Sequence, residues 1–160
     1  MIAVGAEVPE VDVYDGKGAA PLPVFYQGPT LLLFFRDGCG RCEGMLGLVA
    51  GLGRIAKGLT VIGVSQETIE DTAKLLKRIG IKLPVVIDDR PYQASAAFGI
   101  ETLPAVALLE DDAVTWTSDG CGAADVEELA TVMADRIGDR EFGLRPEYAD
   151  EPPIASKHLN

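Results

Sequence analysis

Histidine is almost absent from this chain: one residue in 160, His158, close to the C-terminal end. A zinc site built around the cysteines would have to recruit Cys121 and His158, which do not stand at paired ligand spacing, so no metal and no other cofactor is expected. Basic residues are scarce as well. Lys and Arg number 14 against 25 Asp and Glu, giving a formal net charge of −11. An acidic surface repels phosphate backbones and anionic lipid head groups, which makes nucleic acid and membranes poor candidate partners. Long apolar runs are missing: Leu31 to Phe35, among the longest, is far too short to span a bilayer. The start, Met1-Ile-Ala-Val-Gly-Ala-Glu-Val-Pro, has no basic segment and is broken by Glu7 and Pro9, so a cytoplasmic protein is expected. Cysteine is limited to three residues, an odd number that argues against a framework of structural disulfides.

What is present is a globular composition, 48% hydrophobic, in a chain long enough for one domain with a sizeable core. Residues 1–27 mix isolated apolar residues with turn formers (Asp15-Gly16, Pro21, Pro23, Gly28-Pro29), which reads as a hairpin or short extension. Thr30 to Phe35 is a continuous apolar run, as expected of a strand covered on both faces. After the segment Arg36 to Cys42, apolar residues recur at helical spacing: Met45, Leu46, Val49, Leu52, Ile55 and Ala56. Residues 60–64 read as a second buried strand, and 68–79 as an amphipathic helix with Ile69, Ala73, Leu76 and Ile79 on one face, ended by Gly80. A strand at 83–87 and a short helix at 92–98 follow.

The last third changes pattern. Strands at 104–109 and 113–117 flank the turn Asp111-Asp112, implying an antiparallel hairpin. Asp125 and Glu128 resemble a capping box, opening a helix that Gly138 ends near Ile137. The domain is therefore expected to cover 1–138, with 139–160 a tail that is ordered only if it packs on something. Alternating β and α segments predict an α/β fold, a three-layer α/β/α sandwich with a mixed central sheet.

Two of the cysteines form Cys39-Gly40-Arg41-Cys42, placed where a buried strand ends and a helix begins. The first turn of a helix presents unpaired N–H groups and the positive end of the macrodipole, which favours a thiolate over a thiol. The Cys39 thiol is thus expected to be more acidic than a free cysteine and open to solvent, with Arg41 adding positive charge in the same direction. Residues three apart share a helix face, so Cys42 can reach the Cys39 sulfur. The expected chemistry is attack by Cys39 on an external disulfide, followed by resolution of the mixed disulfide by Cys42.

A strand, a C-x-x-C at a helix start, and Gly99-Ile100-Glu101-Thr102-Leu103-Pro104 before a later strand are together similar to the thioredoxin superfamily, over residues 28–138. The N-terminal extension and the segment Val61 to Leu83 look more like the TlpA/ResA-type and AhpC/TSA peroxiredoxin-like branch than minimal thioredoxin. The resemblance implies a cis proline at Pro104, with Leu103, Pro104 and the loop at Gly120 contacting substrate. It also implies protein or small-molecule disulfides as clients and a thiol or a reductase as electron donor. The sequence departs from the thioredoxin pattern where Gly38 replaces a tryptophan and Leu33 stands at the position of a buried acid, leaving Asp37 or Glu43, or bulk water, to handle protons.

Cys121, in Gly120-Cys121-Gly122, falls in a loop that borders the cysteine pair in such folds. It is either a third thiol near Cys39 or a small buried hydrophobe. Three functions compete: a thiol-disulfide oxidoreductase, a peroxiredoxin-like thiol peroxidase with antioxidant activity, and a non-catalytic binding module. The peroxidase reading would give Cys42 the peroxidatic position. The neighbouring positions that should then stabilise a peroxide hold Phe35 and Cys39, and no Arg lies between Pro91 and Thr117. A copper-delivery protein of related fold would need a histidine partner, and only His158 is present.

Overall fold

The computed structural model describes residues 1–139, 143 and 150–159. Strands β1 (Asp12–Tyr14) and β2 (Ala19–Pro21) form an N-terminal hairpin, its turn held by Asp15, whose carboxylate accepts from the N–H groups of Lys17 and Gly18 at 2.8 and 3.0 Å. There follow β3 (Thr30–Phe35), α1 (Gly40–Ile55), β4 (Thr60–Ser65), α2 (Ile69–Ile79), β5 (Val85–Ile87) and α3 (Gln93–Ala97). The remainder comprises β6 (Thr102–Leu103), β7 (Ala105–Glu110), β8 (Ala113–Asp119), α4 (Ala123–Ile137) and β9 (Ile154–Ala155).

Seven strands make one mixed sheet in the order β2-β1-β5-β4-β3-β7-β8. Strands β3, β4 and β5 run parallel, while β7 is antiparallel to both β3 and β8. All six residues of β3 are buried, as its unbroken apolar run requires of a central strand covered by helices on both faces. Phe34 meets Phe98 with ring centroids 5.1 Å apart, tying the sheet to the end of α3. The fold is the thioredoxin-like α/β sandwich expected.

Three local readings need correction. In α1 the apolar series breaks at Ile55, which is 49% exposed. In α2 the buried face is Thr72, Leu75 and Leu76, and Ala73 faces solvent. Thr72 is accepted in the interior because its hydroxyl pairs with Ser65 Oγ at 2.6 Å, so an apolar count misplaces the stripe by one residue. Helix α4 starts at Ala123 after Gly122; Asp125 lies inside the first turn and accepts from the Gly122 N–H at 3.3 Å, instead of preceding the helix.

The segment 150–159 packs on the body of the protein. Strand β9 pairs antiparallel with β6, Thr102 opposite Ala155 and Leu103 opposite Ile154, in a two-stranded ribbon separate from the main sheet. The tail read at 139–160 lies outside the described residues at 140–142, 144–149 and 160. Among the described residues no helix is long and apolar enough to cross a membrane.

Candidate active site

Strand β3 delivers the chain to the sheet's carboxyl edge, and Gly38, at φ +73°, turns it into α1. Cys39 is the N-cap of that helix, in extended backbone conformation, and its Sγ accepts from the Cys42 N–H at 3.1 Å. The sulfur thus occupies the place an N-capping oxygen takes in other helices, at the positive end of the helix dipole. Cys39 and Cys42 are joined as a disulfide, with Cα atoms 5.1 Å apart. The Leu103–Pro104 peptide bond is cis, and the Leu103 carbonyl oxygen lies 3.9 Å from Cys39 Sγ.

The Gly120 loop completes the floor. Its N–H donates to the Pro104 carbonyl at 2.9 Å and its own carbonyl accepts from Arg41 Nη1 at 2.8 Å. Gly120 has φ +89°, and a Cβ there would come within 2.8 Å of Thr102 Oγ1. That hydroxyl and the Thr102 N–H both bond Asp119 Oδ1, at 3.0 and 2.8 Å. A Gly120→Ala chain is therefore expected to lose about 2 kcal/mol of stability from the left-handed backbone and the clash, measured by denaturant titration. Cys39, Cys42, Arg41, Leu103, Pro104 and Gly120, read separately from the sequence, are gathered in one place.

The expectation that Cys39 is open to solvent does not hold: the residue is 3% exposed, and Cys42 is fully buried. What covers this end of the molecule includes a segment more than a hundred positions away in sequence. Arg41 Nε donates to the Glu151 carbonyl at 2.6 Å, and a side-chain carbon at Gly40 would lie 3.2 Å from Glu151 Oε2. Arg36 Nη1 donates to the Ala155 carbonyl at 3.1 Å. Gln66, buried after β4, donates from Nε2 to Ser95 Oγ and Ser156 Oγ at 2.8 and 2.7 Å, and its Oε1 accepts from the Lys157 N–H at 2.9 Å. Lys157 Nζ pairs with Glu67 at 2.7 Å. Sequence reasoning missed Gln66, Glu67, Glu151 and Ser156, and nothing in the residues near the cysteine pair could have signalled them.

Cys121 is fully buried and unpaired, with φ +50°; burial pushes its thiol up to about 12. Of the two readings, the geometry favours the small buried hydrophobe, because a thiol so held carries no thiolate near neutral pH. The unfolded thiol titrates near 9.0 and the folded one near 12, so the folded state holds the proton more tightly. This residue contributes nothing to the pH dependence below about pH 8, and stability falls by up to ~1.4 kcal/mol per unit above pH 9 on its account. Denaturant titrations between pH 8 and pH 11 should show a shallower fall for Cys121→Ala than for the unsubstituted chain.

Asp37 and Glu43 both pair with Arg78, at 3.5 and 2.7 Å, in an exposed setting where such pairs are worth little. Their surroundings are those of solvated surface charge. Leu33, at the position of the thioredoxin acid, is fully buried among apolar residues. Among the described residues no group of three or more His, Cys, Asp or Glu could hold a metal ion. A cavity of about 390 Å³ lies at the root of the C-terminal segment, lined by Arg36, Arg90, Pro91, Tyr92, Lys157 and His158.

A disulfide-bonded cysteine pair at the head of the first helix of such a sheet, beside a cis proline, defines a protein of thioredoxin fold. The sequence profile of the AhpC/TSA family matches residues 4–116, and the chain belongs to that family. Solved structures with the same fold include a thiol:disulfide interchange protein from Bacteroides sp., at TM-score 0.70 and 19% identity, covering 88% of this chain and 93% of that one. The thioredoxin domain of a thiol-disulfide oxidoreductase from Bacteroides vulgatus aligns at TM-score 0.68 and 19% identity, over 83% of this chain and 99% of that one. The MTB protein DsbF aligns at 0.65 and 18%, over 85% and 98%. No curated protein matches the sequence.

Proposed function

We propose that this protein is a thiol-disulfide oxidoreductase whose Cys39–Cys42 pair reduces or exchanges disulfides in proteins or small molecules. The observation that carries the reading is the position of Cys39 Sγ: it caps α1, it is bonded to Cys42, and it faces the Leu103 carbonyl beside cis Pro104. In the reduced protein the Cys39 thiolate attacks one sulfur of a client disulfide. A Cys39–client bond forms, the client S–S bond breaks, and the departing client sulfur takes a proton from water. The Cys42 thiolate then attacks Cys39 Sγ, restoring the intramolecular disulfide and releasing the second client thiol. Two electrons pass to the client, and an external thiol or a reductase supplies two to the protein for the next cycle. Cys39 is assigned the attacking role because it stands at the helix end while Cys42 is one turn deeper and fully buried.

The helix N-terminus favours negative charge at Cys39, its N-cap residue. The peroxidase alternative finds less support. It makes Cys42 the attacking sulfur, which is fully buried, and it puts Phe35 and Cys39 where groups that polarise a peroxide belong. Insulin reduction and peroxide consumption test the choice, with the unsubstituted chain set beside Cys39→Ser. Insulin reduction that disappears in Cys39→Ser supports the proposal. Peroxide consumption that survives Cys39→Ser supports the peroxidase, and the absence of both activities from the unsubstituted chain leaves a binding module.

A further inference from the structure

We propose that residues 150–159 form a detachable strap that shuts the Cys39–Cys42 disulfide away from solvent, and that its release from the body precedes thiol exchange. Such a strap would regulate the redox site described above, and its purpose rests on that reading, though its test does not.

The strap runs beside the cysteine pair: Glu151 stands over Gly40, and β9 lies next to Leu103. Exchange requires a thiolate to reach Cys39 Sγ, and the residue is 3% exposed with Cys42 fully buried behind it. The strap crosses beside the pair from Glu151, over Gly40 and Arg41, to β9, which pairs with β6 through Leu103, the residue whose carbonyl faces the Cys39 sulfur. Glu151 also sets its carboxylate over the first residue of α1, so the closed strap answers with a negative charge the same helix end that would stabilise a Cys39 thiolate.

The bonding is of a kind that can be undone. Glu151, Pro152, Pro153 and Ala155 are exposed, and Ile154 is the apolar side chain of the segment that packs, partly buried, against the core. What holds the strap is polar: Arg41 to the Glu151 carbonyl, Arg36 to the Ala155 carbonyl, the short β6–β9 ladder, the Ser156 N–H to the Glu101 carbonyl at 3.0 Å, and Lys157 to Glu67. Water replaces such partners when they part, so release costs little compared with exposing core. Segments with few buried apolar contacts open without unfolding the domain. The firmest point is the root, where Ser156 and Gln66 are buried together.

The test is the rate at which a small dithiol, dithiothreitol, reduces the Cys39–Cys42 disulfide of the full chain, read by alkylating the freed thiols and weighing the product. Lys157→Glu sets like charges against Glu67 at the root. Roughly tenfold faster reduction is expected in that chain, with the slow rate restored by the swapped pair Lys157→Glu, Glu67→Lys. Equal rates in all three chains, with unchanged melting temperature, would overturn the strap. Should Lys157→Glu not fold, hydrogen exchange on the unsubstituted chain decides. Amides of residues 154–157 that exchange far faster than those of β3 and β4 support release, and equal protection sinks it. The reduction rate involves no client, so fast reduction of Lys157→Glu without insulin turnover would reject the oxidoreductase reading and leave the strap standing.

Discussion

A Cys42→Ser chain is expected to remain covalently joined to its client. With serine at 42 the first exchange still proceeds, because Cys39 keeps its place at the head of α1, but nothing can attack the Cys39–client bond from within. The mixed disulfide accumulates toward about one client per chain, while multiple turnover falls by roughly two orders of magnitude or more, since resolution must wait for an external thiol. The geometry supports this order of events. Cys42 Sγ is fully buried and bonded only toward Cys39, so a client cannot reach it first. Cys121 offers no substitute: it is buried, and its thiol, pushed up to about 12, provides no thiolate at neutral pH to resolve the intermediate. Incubating reduced Cys42→Ser with oxidised insulin and separating the products without reductant reads the conjugate by mass. Its absence, or its appearance in Cys39→Ser in place of Cys42→Ser, would reverse the assignment of roles.

How much of this could be read from residues alone divides along a physical line. The strand Thr30–Phe35 was legible to its boundaries because burial on both faces leaves an unbroken apolar run, and turn formers flank it. The hairpin at Asp111-Asp112 was legible for a similar reason: both residues adopt positive φ, 51° and 63°, which aspartate tolerates better than most. The cysteine pair announced itself by spacing, and Pro104 became meaningful only through resemblance to a family. The misreadings arise where polar bonding does the work of apolar packing. Thr72 enters the core on a hydroxyl pair with Ser65, and the periodicity of α2 appears shifted in consequence. The strap is attached by main-chain bonds to β6 and by the Gln66 side chain, and such bonds leave no hydrophobic period in the sequence. The expected exposure of Cys39 also failed, since the sulfur is enclosed by contacts the linear sequence does not display, among them the Leu103 carbonyl 64 positions along the chain.

Asp88 is the clearest case of a residue whose importance only the folded chain reveals, and its replacement by alanine should be among the costliest single changes away from the cysteines. The carboxylate is 1% exposed and accepts from the Ala94 N–H at 3.0 Å, the Ser95 N–H at 2.9 Å and the Ser95 hydroxyl at 2.6 Å. Helix α3 has no other side-chain cap, since its N-cap residue, Tyr92, supplies none. Asp88→Ala leaves three buried donors unpaired, and a loss of about 3 kcal/mol is expected, against roughly half that for Asp88→Asn, which keeps one acceptor oxygen. Burial raises the Asp88 carboxyl above its ordinary 3.8, with the bonds to Ser95 and Ala94 opposing the rise. The folded state therefore holds this proton more tightly than the unfolded chain does. Its contribution is fully present below pH 3.8 and is lost as pH climbs through the raised value. Denaturant titrations from pH 4 to pH 7 should accordingly show the gap between the unsubstituted chain and Asp88→Asn widening toward the acid end. A gap that narrows there would mean that the three hydrogen bonds outweigh burial and hold the carboxylate ionised.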